Sequence, residues 1–153
     1  MEIIKETDFE KIRKQAKKLK EDKSEVIFTS ENDELNKKVI EKLPIDILLL
    51  SQKNKKDSQK QRNSGFNQVL AKIAKKNNIQ IAINLDEIID SKTGPIEKAK
   101  ILARIKQNIK LCSKNKIQMK FISPSEKNKD SYELKSIGTS LGMPTWMTSK
   151  FTK

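Results

Sequence analysis

The chain contains no histidine. That removes the commonest general base and the commonest metal ligand, and with them the Ser-His-Asp and Cys-His nucleophile arrangements. Its single cysteine, Cys112, excludes an internal disulfide framework and a multi-cysteine zinc site. The four glycines form no Walker or Rossmann phosphate loop. Aromatic residues make up only 5% of the chain, too few for a base-stacking platform; Phe66, Tyr132 and Trp146 are the ones expected at the surface. No apolar run reaches the length of a membrane span, and the N-terminus has no signal-peptide core. The expectation is a soluble, cytoplasmic protein without a membrane partner.

What the chain has in excess is positive charge. Its 33 lysines and arginines oppose 20 acidic residues, for a net charge of +13. Residues 1–50 hold 11 basic and 12 acidic side chains, a net of −1, whereas residues 51–153 hold 22 and 8, a net of +14. The basicity is therefore regional. A concentrated positive field raises the local concentration of a polyanion, and nucleic acid is the usual one. The plain alternative is a solvated lysine-rich face.

At 153 residues the chain suits a single α/β domain, 1–153, with a strand and helix in 1–24, a basic loop at 51–64 and a tail at 145–153 to which no structure is assigned. Ile3-Ile4 is a short strand. Thr7-Asp8-Phe9-Glu10 has capping-box spacing, with Thr7 as the cap, before a helix whose inner face is Phe9, Ile12, Ala16 and Leu19. Val26–Thr29 is a strand, and Ser30 caps a helix with Leu35, Val39, Ile40 and Leu43 inward, stopped by Pro44. Ile45–Leu50 is almost continuously apolar, as in a parallel sheet covered on both faces. The large apolar residues then vanish between Ser51 and Ser64, where Lys53, Lys55, Lys56, Lys60 and Arg62 face only Asp57.

Beyond this loop, Val69, Leu70 and Ile73 mark a helix, Asn77-Asn78 a turn, and Ile79–Leu85 a strand. Asp86 to Pro95 reads as a turn region. A helix over about 96–114 places Leu102, Ile105, Ile109 and Cys112 inward and Lys98, Lys100, Arg104, Lys106 and Lys110 outward. Ile117–Ile122 is a strand, and Tyr132–Leu141 a helix ended by Gly142 and Pro144. Strand and helix alternate without hairpin signals, which specifies about five or six parallel βα units. Right-handed crossovers leave an open doubly wound sheet or a barrel, and a full barrel takes about 250 residues.

Two kinds of chemistry are open to these residues. Asp46, Asp57, Asp86 and Glu87 can be read as ligands of a hard cation, with Asp46, Asp86 and Glu87 the set for a small metal-dependent βα hydrolase, against which Asp86 also suits a helix N-cap. The basic residues fit RNA better: Lys53, Lys55, Lys56, Lys60, Arg62, Lys72, Arg104 and Lys110 are the candidates, through phosphate contacts that position without specifying sequence. Arg104 and Asn108 lie four apart on one helix face, where they suit phosphate or 2′-hydroxyl groups and equally a buried or intrahelical role. A generic tRNA or ribosomal RNA binder satisfies the same features.

Four segments stand in fixed order: Ser64-Gly65-Phe66-Asn67-Gln68-Val69-Leu70-Ala71-Lys72, Glu97-Lys98-Ala99-Lys100-Ile101-Leu102, Asn108-Ile109-Lys110-Leu111-Cys112, and Glu133-Leu134-Lys135-Ser136-Ile137-Gly138 through Leu141-Gly142-Met143. Together they resemble the third protein component of archaeal ribonuclease P, related to the thirty-kilodalton subunit of the eukaryotic enzyme, over about Val26 to Met143. The resemblance implies a TIM-barrel-like parallel βα fold, here an incomplete barrel because the family begins with further βα units. It implies a protein that carries no catalytic residue and binds no cofactor itself. Its partners are then the ribonuclease P RNA, precursor tRNA and other proteins, including a small RRM-like subunit. The RNA of that nuclease carries the 5′-leader hydrolysis, with magnesium. The family's basic residue, Asp, Gly and His pattern reads here as Arg62, Asn63, Gly65 and Gln68, with Asp57 the acidic group available in a lengthened loop. An Arg near the last helix is matched by Lys129 or Lys135, which keep the charge but lose the bidentate fork.

Overall fold

Five apolar runs become the strands β1 (Ile3–Ile4), β2 (Ile27–Thr29), β3 (Ile47–Leu50), β4 (Gln80–Asn84) and β5 (Met119–Ile122) in the computed structural model, which describes residues 1–152. They form one parallel sheet in the order β1-β2-β3-β4-β5. Each strand lies beside its predecessor, so the order never reverses, as it does in a doubly wound sheet. Repeated right-handed crossovers in one direction put the connecting helices on the same face. The result is a barrel-like βα repeat, and β1 and β5 remain its two edges among the described residues.

The helices are α1 (Phe9–Glu21), α2 (Asp33–Lys42), α3 (Gln68–Lys76), α4 (Leu85–Ile89), α5 (Pro95–Lys114), α6 (Ser131–Ser140) and α7 (Thr145–Thr148), with a last turn at Ser149–Thr152. Side chains alternate across the sheet. Ile4, Phe28, Leu48, Leu50, Ile81, Ile83 and Met119 join the helices in the main core. Ile27, Ile47, Leu49, Ala82 and Ile122, all from strands, form a second cluster, with Ile3 packed against it. Strand side chains can cover one another in this way only if the sheet curls. Across that concave side, Lys120 Nζ of β5 reaches Glu25 Oε1, just ahead of β2, at 3.2 Å.

Several local expectations shift by a residue or two. Asp8, adjacent to the first helical residue, caps α1 by accepting from Glu10 N at 3.1 Å; Thr7 stands one position too early. Asn32 caps α2, its Oδ1 accepting from Glu34 N and Leu35 N, while Ser30 Oγ accepts from Asn32 N. The reciprocal capping box forms instead at Asp130 and Glu133, at the start of α6. In α3 the buried stripe is Leu70, Ala71 and Ala74, and Val69 is 56% exposed. In α5 Ile101 replaces Leu102 on the inner face, and Arg104 and Asn108 are buried with it. Phe66 is buried, Trp146 half-buried and Tyr132 75% exposed. Burial pushes the Cys112 thiol up to about 12, consistent with a small core residue.

The region at 145–152 folds back on α6. A Cβ on Gly138 would meet Met143 Sδ at 2.8 Å, Thr148 Cγ2 at 3.2 Å and Phe151 Cε2 at 3.3 Å, so the absent side chain is what admits this segment. Phe151 in turn meets Phe121 of β5 edge-on, with ring centroids 5.8 Å apart.

If packing rather than charge sets the curl, Leu49→Ala lowers unfolding free energy by about 2–5 kcal/mol in urea denaturation. Glu25→Gln, which removes only the exposed Lys120 pair, changes it by less than about 1 kcal/mol.

Candidate nucleic-acid interface

The carboxyl ends of β3 and β5 open into loops and that of β4 runs directly into α4, all at one end of the sheet, the end at which parallel βα folds build their sites. The longest connects β3 to α3 and contains neither helix nor strand. It is nevertheless held at its start, middle and end.

At the start, Glu87 of α4 accepts from Gln52 N at 2.8 Å and from Lys53 N at 3.1 Å. Burial raises the Glu87 pKa, and these N–H groups oppose that rise. Lys98 Nζ of α5 fixes α4 from the other side by donating to the carbonyls of Glu87, Ile88 and Asp90 at 2.7–2.9 Å. In the middle, Arg104 is 2% exposed. Its Nε donates to Asp57 Oδ1 at 3.1 Å, one terminal nitrogen to Gln52 O at 3.0 Å, and the other to Lys55 O at 2.9 Å. At the end, Gln52 Nε2 and Asn108 Nδ2 both donate to Ser64 O, at 2.8 and 3.2 Å. Asp57 closes the loop on itself by accepting from Asn63 N at 2.8 Å. Gly65 then turns the chain at φ +71°, and Asn67 Oδ1 caps α3 by accepting from Leu70 N.

The expected RNA residues therefore fall into two groups. Lys53, Lys56, Lys60 and Arg62 on the loop are exposed, as are Lys72 on α3 and Lys110 on α5. Arg104 is not on the outer face: its guanidinium is bound by the loop backbone and Asp57. Lys55 is also engaged, its side chain 11% exposed and its Nζ 2.7 Å from Asp33 Oδ1. The Arg104 hydrogen bond, then that of Asn63 N, hold the Asp57 carboxyl below its usual 3.8. Between the loop, α3 and α5 lies a cleft of about 730 Å³ with Lys56, Lys60 and Arg62 among its lining residues.

The acidic candidates do not meet around one point: Asp57 is bound by Arg104 in the loop. Asp46 precedes β3, at the amino end of the parallel sheet, where it accepts from Lys20 Nζ at 2.6 Å and Val26 N at 2.8 Å. Asp86 and Glu87 follow β4, at the opposite end. Burial alone would raise the Asp86 pKa, but hydrogen bonds from Ser123 and from Ser125 N outweigh it and the net shift is downward. The cap of α4 is Asn84, not Asp86. Among the described residues no three His, Cys, Asp or Glu side chains converge as a metal site, and no helix is long and apolar enough to cross a membrane.

No family model and no curated protein matches this chain. Four solved chains match. The fold resembles that of a chain in archaeal ribonuclease P. In that cryo-EM structure, of archaeal ribonuclease P with mature tRNA, the similarity covers 97% of this chain and 62% of the other, with a TM-score of 0.75 and 20% identity. The chain thus spans less than two thirds of the neighbour's length.

The sequence places Gln52 and Ser64 in the basic loop but gives no role to either, and it does not bring Asp33 to this region. Gln52 carries the one legible signal, a polar residue closely following four buried strand residues. Arg104→Met, which keeps the bulk and removes the donors, should free the loop: trypsin cleavage within 53–62 should accelerate about tenfold or more, the factor that loss of a hydrogen bond or two from local stability carries. In the same variant the Asp57 carboxyl should titrate at a higher pH than in the wild type, measured by NMR.

Proposed function

We propose that this chain is an RNA-binding protein subunit of a ribonuclease P ribonucleoprotein, supporting removal of the 5′ leader from precursor tRNA. The observation that carries the reading is the fold match to a chain of archaeal ribonuclease P over 97% of the sequence. The segments from Ser64 to Met143 support it independently, because they suggest the third protein component from residues alone. In this reading the RNA carries the hydrolysis with magnesium, and the protein contributes positively charged contacts and holds neighbouring subunits, a small RRM-like protein among them. The chain itself supplies no catalytic group.

Lys53, Lys56, Lys60 and Arg62 present the loop charge to the RNA, and Lys72 and Lys110 extend that surface over α3 and α5. Lys55 and Arg104 serve the loop's shape, since their donors are already bound within the protein. A preorganised loop loses less conformational entropy when it engages phosphates than a free one does.

The test is reconstitution of the matching ribonuclease P RNA, its partner proteins and magnesium, with and without this chain. Cleavage of precursor tRNA at the 5′ leader should depend on its presence. Replacing Lys53, Lys56, Lys60 and Arg62 together by Gln should weaken RNA binding. It should also make the slope of log affinity against log salt shallower, by roughly 0.7–0.9 for each phosphate no longer neutralised. An unchanged slope would remove the loop from the RNA interface.

A further inference from the structure

The cleft beside the basic loop has a composition that a simple phosphate groove does not require. Lys56, Lys60 and Arg62 line it and are exposed, so they stand at its mouth. Lys56 and Lys60 make no ion pair among the described residues, and Arg62 acts on Asp57 only through space. Asp33 is the one acidic lining residue, and Lys55 Nζ at 2.7 Å compensates its charge. The mouth is thus strongly positive.

Deeper in, the lining changes character. Phe66 and Leu70 are buried, and Leu111 and Gln107 of α5 are half-buried beside them. A backbone phosphate of a duplex needs only the cations. An apolar base with an amide at its side suits instead the flat face and polar edge of a nucleobase, which is available only where the nucleotide is unstacked. The volume, about 730 Å³, lies inside the range of roughly 300–1,000 Å³ typical of small-ligand clefts. The walls are also well fixed, because Arg104 and Asn108 hold the loop on one side and α5 itself forms the other.

We infer that this cleft seats one unstacked nucleotide of single-stranded RNA, its phosphate at Lys56, Lys60 and Arg62 and its base against the half-buried Leu111 and Gln107. This deepens the RNA-binding reading and rests on it. The loop selects an unpaired strand, and the base is held largely by its apolar face, with Gln107 able to bond its edge.

Fluorescence anisotropy of the full chain with a labelled unstructured oligouridine, and with a blunt duplex of equal length at the same ionic strength, tests it. The single strand should bind more tightly than the duplex by about threefold or more, the order of effect that covering part of one base face with apolar surface supplies. Leu111→Ala and Gln107→Ala should each weaken single-strand binding by about threefold or more and leave the duplex unchanged; thermal unfolding confirms that both variants are folded. Arg62→Gln should weaken binding of both. Equal affinity for strand and duplex, or floor variants that leave the preference intact, would overturn the nucleotide site while leaving RNA binding standing. No measurable binding of either RNA would overturn both.

Discussion

A guanidinium removed from water must have its donors satisfied, and this constraint on Arg104 organises the carboxyl end of the sheet. Arg104 lies on the inner side of α5, where its own helix offers the guanidinium only the Glu97 carboxylate, at 3.9 Å. The β3–α3 loop supplies the acceptors: two backbone carbonyls and the Asp57 carboxylate. A segment without helix or strand thereby gains a defined path, and the same contacts turn its remaining cations outward. Asn108, one turn later, extends the grip to Ser64, where the chain turns into α3.

The sheet decides where this clamp can act. Because the strands are all parallel, with each beside its predecessor, every strand delivers its following loop to the same end. α4 and α5 then stand next to the loop that leaves β3, and Glu87 and Arg104 meet it from neighbouring units although they are distant in sequence, while Lys98 ties α4 to α5. Curling of the sheet follows from the second cluster of strand side chains. The exposed Lys120–Glu25 pair crosses the concave side without having to create it.

Charge is arranged in two layers. Acidic groups near the loop are internally committed: Asp33 to Lys55, Asp57 to Arg104, and Glu87 to two backbone N–H groups. The lysines outside them keep their full field toward solvent. The positive half of the sequence is therefore not uniformly available to a polyanion. Lys98, Lys55 and Arg104 count toward the net charge yet hold the protein together.

Much of the architecture is legible from residues alone. Five apolar runs, α5, the terminating Pro44 and the loop between Ser51 and Ser64 follow from period, propensity and composition, which are local properties. The caps of α1 and α2 differ from expectation because several adjacent polar residues can compete for the same free N–H groups, and backbone geometry picks among them. Val69 and Leu102 differ because a helix turns about 100° per residue, and a one-residue error in phase exchanges a surface position for a buried one. Arg104 is inside rather than outside for a related reason: charge predicts exposure unless partners exist, and its partners lie 47 to 52 positions away. The sequence by itself thus determined the alternating βα class, the regional positive charge and the exclusion of histidine chemistry. Only the tertiary structure decided the sequential strand order, the opposite placement of Asp46 from Asp86 and Glu87, and which cations remain free, because those depend on contacts between segments far apart along the chain.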